Sequence, residues 1–349
     1  MSTPSVTASV VTQKAYPSLA FDSVLVLTNK ATFAEPFRVY QDLTTFLTDN
    51  DDVDLVAAGN LLFMQEPRLT SVIVAKTDPL NADVGALAAD MVLLDAVLDV
   101  DFFAVTVVSD HSAAQLVELA KYIETQEMIG CFYSNDVTTI ATSTTDLGAL
   151  LNAENLEKSF AWYHTDTRLD LAFISRFLGE PIGNVSGKHL VLKGVDASNL
   201  TVSELTNVEG KNINVYDRER KKYLFTKPGV TANGENIESV AGKIFVSVSC
   251  IEATYELLLN NSRISFNAAD VKKIESKLLF ELKKAQDQKI IAADDPETGA
   301  GYQLTLTPDR AADKMAANII YLDAGTLKTM EIAFTVFKDD TQFNIEKAN

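Results

Sequence analysis

Between Phe21 and Leu178, short apolar, β-prone runs alternate with stretches of helical period, and a chain with that rhythm has few folds open to it. The run Phe21–Asn29 reads as a buried strand, followed by a helix from about Tyr40 to Leu47 and a second over Val53–Phe63. Strands are then expected at Ser71–Ala75, Phe102–Val108, Ile129–Tyr133 and Phe160–Tyr163. The helices between and after them are expected at Asp83–Leu98, Ser112–Glu127 and Leu169–Leu178. Apolar strands separated by amphipathic helices require a sheet covered on at least one face. The run Asp49–Asp54 lacks the glycine and closing glutamate of a calcium loop, so it reads as a solvated helix start.

The pattern changes over 179–236, where glycines and prolines recur so often that short strands and loops are expected. The last third opens on a long apolar helix, Ile244–Leu259. A second helix, capped by the segment Asn267–Asp270, runs to about Ile290. Its core stripe is Val271, Ile274, Leu278, Leu282 and Ala285, and a different stripe holds Lys273, Lys277, Phe280 and Lys284. Strand segments follow at Tyr302–Leu306, Ala317–Leu322 and Met330–Phe337, the last with Met330, Ile332, Phe334 and Val336 on one face. At the other end, Val6, Ala8 and Val10 lie in an alternating stretch with no hairpin turn to give it a local partner. The expected fold class is α/β (α+β): two packed α/β units with extended N- and C-terminal arms. The expected divisions are an arm over 1–20, an outer α/β region over 21–230 with a sub-boundary near 150, and an inner unit over 231–349.

A formal charge of −18 argues against nucleic acid as a partner, since phosphate contacts need a basic surface. The acidity is concentrated in residues 1–150, with 6 basic against 20 acidic side chains, so this half is expected on the outside of any assembly. No apolar run approaches the roughly 20 residues of a membrane span, and the first residues lack the basic-then-apolar pattern of a secretory signal. The chain therefore reads as one made and kept in the cytoplasm until assembly, with no membrane partner. Cys131 and Cys250 each sit in an apolar run and read as two buried thiols.

Catalytic constellations are hard to assemble from this sequence. The histidines are His111, His164 and His189, and none has the spacing of a zinc pair. His111 follows a strand and precedes a helix, a position from which α/β enzymes often act, but the helix-capping loop is the preferred reading. His164 follows Trp162 and Tyr163 with Asp166 close by, and reads as packing. Nucleophile elbows, phosphate-binding loops and dinucleotide fingerprints are all missing, and Gly183–His189 is one residue short of a phosphate loop. No cofactor, metal or catalytic residue is assigned, and the chain is not expected to be an enzyme; an α/β enzyme of unknown substrate is the alternative.

The carboxy-terminal pattern KIFVSVSCIEATYELLLNNSRISFNAADVKKIESKLLFELKKAQDQKIIA, followed by PDRAADKMAANIIYLDAGTLKTMEIAFTVF, resembles the inner domain of contractile bacteriophage tail sheath proteins. YQDLTTFLTDNDDVDLVAAGNLLFMQEPRLTSVIVAKTD is similar to that family's opening α/β unit, and SFAWYHTD and VTANGENIESVAG resemble its compact branch. The likeness runs from about Phe21 to Phe337, with 179–236 matching least. It implies a structural subunit that stacks in six-membered rings around a tail tube and contracts without a nucleotide. The arms at both chain ends would join neighbouring subunits by strand exchange. It also implies tail tube, baseplate and tail terminator proteins as partners, a place in the virion, and a tube-facing helix, for which Lys273, Lys277, Phe280 and Lys284 are the candidates. Another tail or baseplate protein remains the second alternative.

Overall fold

A computed structural model describes residues 21–77, 83–95, 101–109, 111–261, 263–297, 299–309, 314–326 and 328. The chain opens with strand β1 (Ser23–Thr28), the short strand β2 (Phe37–Tyr40), helices α1 (Leu43–Asp49) and α2 (Val53–Phe63), and strand β3 (Ser71–Lys76). Three further strands alternate with helices: α3 (Ala86–Asp95), β4 (Ala104–Val107), α4 (Ala113–Glu124), β5 (Ile129–Ser134), α5 (Leu147–Ala153), β6 (Ser159–Tyr163) and α6 (Leu169–Leu178). Helix α7 (Val202–Glu209) then precedes strands β7 (Asn214–Glu219) and β8 (Tyr223–Lys227). The remainder holds α8 (Ile237–Leu259), α9 (Ala268–Asp287) and the strands β9 (Tyr302–Asp309) and β10 (Lys314–Tyr321).

Eight strands form one sheet in the order β2-β3-β1-β4-β5-β6-β7-β8. The six inner strands run parallel, while β2 and β8 close the edges antiparallel to β3 and β7. Continuous apolar runs are what a strand buried on both faces needs, and β1 shows why. Val24 and Val26 face one hydrophobic core, shared with α2, α6 and α8, while Leu25 and Leu27 face a second one under α3, α4 and α5. Trp162, at the centre of β6, is fully buried against Phe173 of α6, with ring centroids 4.3 Å apart.

Local signals start several of these elements. Asp52 accepts hydrogen bonds from the amides of Asp54 and Leu55, so the acidic run is a helix start. Ser112 and Gln115 make a reciprocal capping box on α4, and Asn267 accepts from the amide of Asp270 on α9.

Two expectations need correction. The long apolar helix begins at Ile237, seven residues before the expected Ile244, because the extra turns bury Ile237, Val240 and Ala241 in the first core. The glycine-dense stretch holds helix α7 as well as strands, since Thr201 and Glu204 cap each other across its first turn. Both proposed arms, with Val6, Ala8, Val10, Met330, Ile332, Phe334 and Val336, lie outside the described residues.

Candidate assembly surface

β9 and β10 form an antiparallel ribbon, paired from Tyr302↔Tyr321 to Asp309↔Lys314. Among the described residues it is a sheet of two strands. A ribbon of two strands is marginal alone and presents unpaired backbone groups along its edges. Alternate residues Tyr302, Leu304, Leu306, Ile319 and Tyr321 lean on the first core and remain only partly buried. The base of the ribbon is held by backbone hydrogen bonds from Ala292 to Leu322 (2.8 Å) and from Ala324 to Ile290 (3.0 Å).

Beside β10 runs an apolar groove of about 680 Å³, lined by Cys250, Ile251, Tyr255 and Leu258 of α8 and by Ile319 and Tyr321 of β10. A second cavity of about 270 Å³ continues it between Leu257, Phe266, Ile274 and Met315. Ile251, Tyr255 and Leu258 are each about half exposed (48%, 56% and 48%), which is unusual for large apolar residues grouped along one helix. From the sequence this helix was legible only as long and apolar, and the half-exposed face was not singled out. The available signal was that Ile244–Leu259 is apolar nearly all round, more than one buried stripe requires.

The stripe on α9 is brought together on one face, with Phe280 exposed at 64%. Its lysines already have partners within the chain: Lys273 with Asp270 (2.9 Å), Lys277 with Glu256 (2.6 Å) and Lys284 with Glu281 (3.5 Å). Lys273, together with Ser265 and Asn267, holds the Asp270 carboxylate well below the usual range. Of the expected core stripe, Leu278, Leu282 and Ala285 are buried, and Val271 and Ile274 are partly covered.

Beyond the ribbon, Lys328 belongs to a buried charged cluster. The Lys328 ammonium donates to the Gly229 carbonyl (2.8 Å) and lies 3.4 Å from Glu238 at the start of α8. Glu238 also accepts from the Ser186 hydroxyl (3.1 Å) and the Gly187 amide (3.0 Å). Lys188 donates to the Lys328 carbonyl at 3.0 Å. Burial lowers the Lys328 amine from its ordinary range, and Glu238 opposes the shift in part.

The histidines are not gathered into one site. His164 is buried; its Nδ1 accepts from the amides of Asp166 (3.1 Å) and Thr167 (3.0 Å). That leaves Nε2 to carry the proton and donate to the Asp196 carbonyl at 3.1 Å, so the ring is a neutral brace. His111 lines a different place, the cleft at the carboxyl ends of the parallel strands, and His164 does not. Both cysteines are free and buried; burial pushes the Cys250 thiol up to about 11 and raises that of Cys131 as well, so neither is a ready nucleophile. Among the described residues no cluster could hold a metal ion, and no helix is long and apolar enough to cross a membrane.

No protein-family model matches the chain, and no curated protein matches it in sequence. Solved structures do match in fold. One is a chain of the anti-feeding prophage baseplate, with a TM-score of 0.69 and 13% identity over 97% of this chain and 99% of that one. Another belongs to the PVC sheath complex of an extracellular contractile injection system in its contracted state, with a TM-score of 0.64 and 12% identity over 98% and 99%. The α/β fold class read from the sequence is the one the described residues adopt, and both of these chains share the fold.

Proposed function

We propose that the chain is a structural subunit of a contractile sheath. In this reading it polymerises in stacked hexameric rings around an inner tube and contracts to drive that tube through an envelope. The observation that carries the reading is the likeness in fold to a contractile sheath chain over 98% of this one. The ribbon, two-stranded among the described residues, and its apolar groove support it, because strand addition to a sheet edge joins subunits through main-chain hydrogen bonds that tolerate reorientation. Val6, Ala8 and Val10 of one copy, or Met330, Ile332, Phe334 and Val336 of another, have the alternation such a strand needs.

The sheet-bearing part up to about residue 230 would then be the outer unit, and the helices and ribbon beyond it the inner one. Lys273, Lys277, Phe280 and Lys284 would face the tube. The tube, baseplate and terminator proteins of a phage tail or related particle would be the partners, and the chain would act as a scaffold with no reaction of its own.

Negative-stain electron microscopy of the purified chain tests this directly. Tubes or stacked rings are expected from the full chain, and soluble monomers after deletion of residues 1–16. A full chain that stays monomeric at high concentration with tube protein present would refute the proposal.

A further inference from the structure

The cleft at the carboxyl ends of the parallel strands plays no part in sheath assembly as proposed above, yet it has the features of a small-molecule site. After β1 the chain places β3 on one side, then crosses to place β4 on the other. Strand order reverses there, and in open α/β sheets the crevice at such a reversal is where ligands bind. Here the crevice measures about 650 Å³, a volume typical of small-molecule pockets. It is bordered by Lys30 after β1, Ser109 after β4, Tyr133 on β5, Arg168 after β6, and Asn60 and Met64 from α2.

Arg168 is the group that gives the cleft a chemical preference. Its Nε donates to Asp170 at 3.0 Å, and its Nη2 donates to Asp170 and to the Val107 carbonyl, each at 2.6 Å. The guanidinium also lies over the Tyr133 ring, 4.9 Å from its centroid. Asp170 is itself fixed by the Thr106 hydroxyl at 2.7 Å and is fully buried. The fork is thus held rigidly, and Nη1, with two N–H donors, has no hydrogen-bond partner among the described residues. A held guanidinium with donors left over is suited to a carboxylate oxygen.

The other charges limit what can accompany that oxygen. Lys30 is paired with Asp54, and Asp166 also lines the cleft, so the walls are not broadly basic and would repel a second anionic group. Leu61, Met64, Leu116 and Phe132 line the remainder with apolar surface. We propose that this cleft binds a small monocarboxylate with an apolar body, its carboxylate on Arg168 Nη1 and its body against Met64 and Leu116.

The test uses the full chain and benzoate as probe, followed by saturation-transfer NMR and by thermal shift. Saturable binding at millimolar benzoate is expected, with benzamide, its neutral analogue, at least tenfold weaker. Ala57→Phe adds a ring from an exposed position on the cleft wall and is expected to weaken benzoate at least tenfold while the chain stays folded. Arg168→Gln is read beside it, because it also unties Asp170. Absence of saturable binding, equal binding of benzamide, or undiminished binding to Ala57→Phe would each overturn the proposal.

Discussion

The cluster around Lys328 makes an ordered prediction, in which removing the acid costs more than removing the base. The Lys328 and Glu238 side chains are 16% and 7% exposed. Lys328→Met keeps most of the apolar stem and removes the charge. Glu238 is then without its cation but keeps the Ser186 and Gly187 donors, so the loss falls below the 3–5 kcal/mol of a fully orphaned buried charge, at about 1–2 kcal/mol. Glu238→Gln leaves a buried ammonium with, among the described residues, the Gly229 carbonyl as its hydrogen-bond acceptor and forces one of two donors to share an amide oxygen, so its cost is about 3 kcal/mol or more. Urea unfolding of both single variants and the double variant measures the order and the coupling. The pH dependence is a second readout. Because burial lowers the folded-state pKa of Lys328 below its ordinary 10.5, the unfolded chain binds more protons between the two values. This group's contribution to stability therefore rises with pH across that window, and the rise vanishes in Lys328→Met. Equal costs, or a Lys328→Met variant more damaged than Glu238→Gln, would refute the account of the cluster.

Gly229 has φ +78°, and an added Cβ would lie 2.5 Å from the backbone of Gly187 and Lys188, so Gly229→Ala is expected to destabilise by about 2 kcal/mol or more, measured by urea unfolding. Asp270, held below the ordinary carboxylate range by Lys273, Ser265 and Asn267, contributes stability that is present above that range and is lost as pH falls through its folded pKa. Asp270→Asn should therefore flatten the acid limb of a stability–pH curve. Phe280→Ser, at a site 64% exposed, should leave the unfolding free energy from urea titration within about 0.5 kcal/mol of the parent, while co-sedimentation with tube protein falls if the stripe faces the tube as proposed.

The elements legible in the sequence are those with a signal at both ends. Helix α2 spans Val53–Phe63 as expected, between the Asp52 cap and the turn before Pro67, and α6 spans Leu169–Leu178 as expected, closed by Gly179. Strand β2 has only four residues and draws its stability from pairing with β3, so it carried no local signal. The first two turns of α8 hold Glu238, Ser239 and Gly242, which break the apolar run. Their helix is held by the burial of Ile237, Val240 and Ala241 in the first core and by Ile290, which packs 2.7 Å from where a Cβ on Gly242 would sit, both long-range facts. Strand order was illegible for the same reason: parallel neighbours such as β1 and β4 meet across some 80 residues, with nothing in either run to name the other. The groove beside β10 was hidden differently, since burial and exposure look alike in a helix as apolar as α8.

The α9 stripe was legible as a face, but its meaning changes once the partners are known. Free lysines would have implied a tube contact driven by neutralising charge. Instead, Lys273, Lys277 and Lys284 each have a carboxylate in the chain, with side chains 53%, 30% and 48% exposed. Exposed pairs of this kind contribute about 0–1 kcal/mol each. An acidic group on a tube would exchange with an existing partner at almost no net gain, and Phe280 would supply the main apolar contact. In the proposed sheath such a surface favours register over affinity, since contraction requires the inner helix to release the tube. Charge-reversal of Glu256 should then tighten binding to the tube by freeing Lys277; unchanged co-sedimentation of Glu256→Lys would show that α9 does not meet the tube through this face, and a weakening would show that the tube surface there is not acidic.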